Sequence, residues 1–126
     1  MKILVQYLAV AGAGAFGAVA RLFVATACNR KFGPSFPYGT FVINISGSLF
    51  LGWFLTVIGT RIVVSDTTRL AIAVGFVGAY TTFSTYMWES NGLLQEGAGV
   101  KAMANLFGSL FVGLLAVRAG IWLARL

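Results

Sequence analysis

The chain has 126 residues, 59% of them apolar and 10% charged, with sixteen glycines and nine Lys/Arg against three Asp/Glu for a net charge of +6. Soluble domains carry roughly 25% charged residues, and a chain this short cannot enclose so much apolar surface in one aqueous core; a mean hydropathy of +0.90 therefore excludes a soluble enzyme, a disordered chain and a disulfide scaffold. The basic excess predicts no nucleic-acid partner, because no cationic cluster exceeds the pair Arg30–Lys31 and phosphate recognition needs several cations together.

Taken in chain order, the gaps between charges predict one domain over 1–126, an all-α integral membrane protein of four spans near 3–27, 38–60, 68–92 and 102–124. Each approaches the roughly 20 apolar residues a helix needs to cross a bilayer. The first follows Lys2 and holds the glycine-rich stretch Gly12 to Ala20 before Arg21. Its Ala18-Val19-Ala20 ending also resembles a signal peptide, but removing it would leave three equally hydrophobic helices. The loop from Asn29 to Pro37 contains both prolines and leads into the second span. Ser65-Asp66-Thr67-Thr68 reads as an N-cap cluster opening the third, and Glu96-Gly97-Ala98-Gly99 separates it from the fourth.

Basic residues are divided almost evenly between the two sides. Lys2, Arg61, Arg69 and Arg125 fall on one, and Arg30, Lys31 and Lys101 on the other with Arg21 close by. Orientation normally follows a difference in such charges. Its near absence fits either the scatter of a small chain or dual topology, in which copies insert both ways and pair antiparallel. The second reading would build across two chains the inverted symmetry that larger transporters hold in one.

Several polar and small residues recur inside the spans. Ala13/Gly17, Gly14/Ala18, Ser48/Gly52, Gly75/Ala79 and Ala104/Gly108 are spaced for close helix packing. Thr40, Asn44, Ser48 and Gly52 share one face of the second helix, and Asn105, Ser109 and Gly113 one face of the fourth. These stripes must face protein or water, either as interhelical hydrogen bonds or as the wall of a polar path. The third span is the least lipid-like. Gly75 to Tyr86 holds two glycines, four Ser/Thr and aromatic residues at its centre, which favours a mid-span break, tolerated only where the freed backbone is buried in protein or lines a cavity. Unwound carbonyls there can hold a cation, and the ring edges of Phe83 and Tyr86 carry partial positive charge that suits an anion. A hydroxyl-rich packing core explains the same composition. Arg21 can attract anions in a vestibule or anchor a lipid phosphate, and Glu89 reads as a helix-end or subunit contact. No acidic residue sits within the body of a span, and nothing resembles a nucleotide loop or a nucleophile–base pair. The chain is thus read as no enzyme and as a passive channel rather than a pump.

Three segments together resemble the Fluc (CrcB) fluoride channels: Gly12 to Arg21, Pro37 to Ser48 with its Gly39-Thr40 and Asn44, and Gly75 to Glu89 around Thr81-Thr82-Phe83-Ser84-Thr85. The resemblance covers almost the whole chain, its length and its four-helix layout. It implies a multi-pass protein of the cell inner (plasma) membrane that exports fluoride passively. It further implies an antiparallel homodimer with two pores and a central structural sodium ion. By resemblance, the backbone carbonyls of Gly78 and Thr81 hold the sodium, and Phe83 presents its ring edge to fluoride with Ser84 and Thr85 nearby. Asn44 is a pore donor, Asn105 and Ser109 begin a polar track, and Arg21 lies in the vestibule. Two departures stand out. The family's second box phenylalanine is Tyr86 here, and the polar track thins to Gly113. Of the rival classes, a proton-coupled multidrug exporter lacks its first-helix glutamate. An anchoring subunit gives no reason for the Gly75–Tyr86 segment.

Overall fold

A computed structural model describes residues 1–126 as helices joined by short connections. The elements are α1 (Lys2–Phe32), α2 (Tyr38–Thr60), α3 (Asp66–Leu70), a π-helical segment (Ala71–Val77), α4 (Gly78–Tyr80), α5 (Phe83–Gln95) and α6 (Gly99–Arg125). Four helical stretches are long and apolar enough to cross a membrane: α1, α2, the composite Asp66–Gln95, and α6. The boundaries follow local chemistry. Gly33 ends α1 at φ 75°, its N–H donating to the Asn29 carbonyl, a positive φ that glycine adopts without penalty. Pro37 sits just before α2, where a missing N–H costs nothing. The Ser65 hydroxyl accepts the Thr68 N–H at 3.1 Å and caps α3.

Helix ends extend past the expected spans except in α2, whose Tyr38–Thr60 coincides with 38–60. The first helix continues from 27 to Phe32 and carries Arg30 and Lys31 in its last turn. The third stretch runs from Asp66 to Gln95 and the fourth from Gly99 to Arg125. Polar residues flanking an apolar run keep their helical hydrogen bonds, so hydropathy marks the lipid-facing portion and not the helix end.

Helices meet through glycines rather than large interlocking side chains. A Cβ placed on Gly17 would lie 2.2 Å from the Phe76 carbonyl oxygen, and one on Gly75 2.7 Å from that of Val10, so α1 packs directly on the backbone of the π segment. In the α2–α6 pair, a Cβ on Gly52 would fall 2.4 Å from the Val117 oxygen, and one on Gly120 2.1 Å from that of Leu49. Backbones can approach this closely only where side chains are absent. The Ala104/Gly108 pair does not serve this purpose within the chain, since nothing lies within 4 Å of a Gly108 Cβ. Only 18 of 126 residues are buried, and Ile43 and Asn105 are the largest side chains fully enclosed. Most apolar surface therefore points outward, as befits helices solvated by lipid or by another chain.

Candidate functional site

The site is organised around two non-helical residues between α4 and α5. Thr81 (φ −79°, ψ 159°) and Thr82 (φ −150°, ψ 122°) are extended. The helical ladder reaches as far as the Thr81 N–H, which donates to the Val77 carbonyl at 2.9 Å. The next N–H, of Thr82, would complete the ladder at Gly78. It donates instead to Asn44 Oδ1 at 2.8 Å, and Asn44 Nδ2 donates back to the Thr82 carbonyl at 3.0 Å. The Thr82 hydroxyl then accepts the Thr85 N–H at 3.2 Å and caps α5, so the Thr81 carbonyl also lacks its i+4 donor. Gly78 and Thr81 thus present two carbonyls released from the ladder. Space beside Gly78 is open, the nearest atom to a Cβ there being the Ala73 oxygen at 3.9 Å. Neutral oxygen donors of this kind suit a hard monovalent cation such as sodium; no His/Cys/Asp/Glu group large enough to hold a metal is present.

An open groove of ≈ 480 Å³ lies against this interruption, with Asn44, Ser48, Thr82, Phe83, Tyr86 and Ser109 in its wall. Phe83 is 73% exposed. Its ring meets that of Tyr86 edge-on, with centroids 6.0 Å apart at 68°, the geometry in which a positive edge faces a negative ring. The Tyr86 hydroxyl donates to the Leu106 carbonyl of α6, so the group by which this residue departs from phenylalanine is spent on a helix–helix tie.

The expected α6 stripe divides between two environments. Ser109 lines the groove and donates to Asn105 Oδ1 at 3.4 Å. Asn105 is fully buried and faces α5, with Nδ2 donating to Ser90 Oγ at 2.9 Å; Ser90 in turn donates to the Tyr86 carbonyl at 2.7 Å. Gly113 has no side chain to offer, but Ser48 Oγ of α2 lies 4.0 Å from where its Cβ would be. A hydroxyl therefore returns to the groove at that level from the neighbouring helix.

A second cavity of ≈ 280 Å³ gathers Arg21, Thr40, Thr82, Thr85 and Glu89. Thr40 donates to Glu89 Oε1 at 2.9 Å, while Oε2 is buried without a partner in the chain. Arg21 and Glu89 share the cavity without closing into an ion pair. Ser84 is exposed and lines neither space, its hydroxyl 3.5 Å from that of Thr82. The structure thus places Asn44, Phe83, Tyr86 and Ser109 at the groove, Arg21 and Thr85 at the cavity, and Asn105 in neither. Thr82 lines both spaces. Sequence reasoning gave no separate role to Thr82, Ser90 or the Thr40–Glu89 bond. Thr82 carried a legible signal, a threonine three residues ahead of another at a helix start; the other two depend on which helices become neighbours.

The profile of the CrcB-like protein, Camphor Resistance (CrcB) family matches residues 8–121. A fluoride-specific ion channel FluC of Synechococcus is 44% identical over 110 residues, covering 87% of this chain and 85% of that one. A protein of the same description from Chloroflexus aurantiacus is 42% identical over 118 residues and 94% of each chain. A third, from Solibacter usitatus, is 40% identical over 120 residues, 95% of this chain and 98% of its own.

Proposed function

The chain belongs to the CrcB-like family, and from that premise we propose that it is a passive, fluoride-selective channel of the cell membrane. The observation that carries the reading is the Phe83 ring, 73% exposed beside a groove that also offers the Ser48 and Ser109 hydroxyls. Fluoride is small and strongly hydrated, so a pore must replace its water with hydroxyls, N–H groups and aromatic edges. Arg21, in the second cavity, supplies positive charge that concentrates anions at the entrance. Thr85, Ser84 and Thr82 follow with hydroxyls, Phe83 and Tyr86 with ring edges, and Ser109 and Ser48 continue the polar wall. Asn44 keeps one N–H beyond the pair it forms with Thr82. Asn105 acts behind the wall, orienting Ser109 through the hydroxyl that its own oxygen accepts.

The complete channel would be an antiparallel dual-topology homodimer with two pores. Support comes from the near-even spread of basic charge and from a groove left open along one side of the chain. The Gly78 and Thr81 carbonyls would hold a central sodium ion between the two copies. When bound, sodium supplies a fixed positive charge that offsets carbonyl dipoles at the interface. Hydrogen fluoride crosses membranes and dissociates inside the cell, so a passive anion exit lowers accumulated fluoride without an energy source. The test is efflux from fluoride-loaded proteoliposomes, followed with a fluoride electrode and with chloride as control. Fast valinomycin-dependent release of fluoride but not chloride is expected. Silence from a folded dimer would refute the proposal.

A further inference from the structure

We propose that Asn44 is the positioning residue of the interrupted third span, its carboxamide drawing the Thr82 peptide out of the helical ladder so that the Gly78 carbonyl is released toward a cation. The inference deepens the channel reading and rests on it for the cation, but the local geometry stands by itself. Both polar atoms of one side chain meet both backbone groups of one residue: Thr82 N–H to Oδ1 at 2.8 Å, and Nδ2–H to the Thr82 carbonyl at 3.0 Å. This two-point pairing copies the exchange between facing residues of antiparallel strands. It also satisfies two groups that a break in a membrane helix would otherwise leave unpaired in a medium without water.

The pairing has a consequence for charge at the groove. A carboxamide has one oxygen and two N–H donors. The oxygen and one N–H are consumed by Thr82, and the remaining atom is an N–H. Rotation of the amide would break both bonds at once, bringing oxygen against oxygen and N–H against N–H. The clamp therefore prevents Asn44 from turning its oxygen, which repels anions, toward the groove. One side chain thus fixes a carbonyl for a cation on one side and an N–H for an anion on the other. Thr82 completes the arrangement through its hydroxyl, which takes the Thr85 N–H at 3.2 Å and leaves the Thr81 carbonyl equally free.

The test reads the clamp directly, by amide hydrogen exchange at Thr82 in the purified full-length protein in micelles. Wild type and Thr60→Ala, a change at the exposed C-terminal end of α2 whose hydroxyl bonds only the Thr56 carbonyl of its own helix, should protect this amide. Asn44→Ala should exchange about tenfold faster or more, the factor corresponding to one lost hydrogen bond of about 1.4 kcal/mol. Sodium in place of N-methylglucamine should raise the melting temperature of wild type and Thr60→Ala but not of Asn44→Ala. Asn44→Leu, close to asparagine in volume but without either amide bond, serves if the alanine variant does not fold; it should lose both the protection and the sodium effect. An exposed Thr82 amide in wild type, or unchanged protection in Asn44→Ala or Asn44→Leu, overturns the clamp. Absence of a sodium effect in wild type overturns its link to a cation. Wild-type fluoride flux separates the two levels: a protected Thr82 in a silent protein removes the channel reading and leaves the clamp.

Discussion

Replacing Gly120 by alanine adds a single methyl group at the closest point of the α2–α6 contact. The added Cβ would stand 2.1 Å from the Leu49 carbonyl oxygen and 2.7 Å from the Trp53 nitrogen, whereas real Cβ contacts below 3.0 Å essentially do not occur. Both obstacles are backbone, so no rotamer change relieves them and α2 must retreat by about 0.9 Å. A gap of that size forfeits a quarter to a half of the dispersion energy of each atom pair across the contact. Sliding along the interface is blocked as well, because Gly52 sits in the reciprocal notch, 2.4 Å by the same measure from the Val117 oxygen. Overpacking costs about 1–3 kcal/mol, and the upper end applies to a rigid backbone obstacle. Alanine returns about 1 kcal/mol through its better helix propensity, leaving a net loss of about 2 kcal/mol. Gly108→Ala makes the same change on the same helix with nothing within 4 Å, and should be neutral or stabilising by up to about 1 kcal/mol. Reversible unfolding in mixed micelles, followed by circular dichroism, measures both. A Gly120→Ala protein as stable as wild type would refute packing through backbone notches.

Three further predictions concern the site. Phe83→Ile should lower fluoride efflux by about tenfold or more, the loss of roughly 1.4 kcal/mol of ion stabilisation, while gel filtration shows the same oligomeric state as wild type; wild-type flux would remove the ring edge from the mechanism. Tyr86→Phe keeps the ring and loses the tie to the Leu106 carbonyl, so stability should fall by about 1 kcal/mol with flux within a few-fold of wild type. A flux loss as deep as that of Phe83→Ile would instead make the hydroxyl an ion ligand. Thr40→Val removes the one donor that Glu89 has in the chain and should cost about 1.5–3 kcal/mol, the range for hydrogen bonds to charged groups. A double-mutant cycle with Glu89→Leu, which removes the acceptor, checks this, since additive losses would mean the two residues do not act through their hydrogen bond.

Much of this architecture is legible in the sequence because membranes impose simple rules. Charge-free gaps mark the four apolar stretches, and Pro37 together with Arg61 brackets α2 closely. Arg30 and Lys31 were less informative, since both are good helix formers that extend α1 while lying outside its apolar portion. Helical periodicity correctly groups Asn105 with Ser109 on one face, yet cannot distinguish an inner from an outer edge of that face. Ser90 of α5 makes the difference by receiving the Asn105 amide. The partner of Asn44 is hidden for a related reason. Thr82 lies 38 positions away, and both residues look like ordinary polar groups until the fold brings them together.

The order of α2 and the third span matters for how the protein is made. Asn44 leaves the ribosome 38 residues ahead of Thr82, a lead of about 2–8 s at 5–20 residues per second. When the third span enters the bilayer, the helix carrying its clamp has already been synthesised. The two extended threonines can be received by a waiting carboxamide instead of carrying bare peptide groups into hydrocarbon. A rearranged gene that encodes α2 last would specify the same contacts, but its third span would have to insert before the residue that completes it.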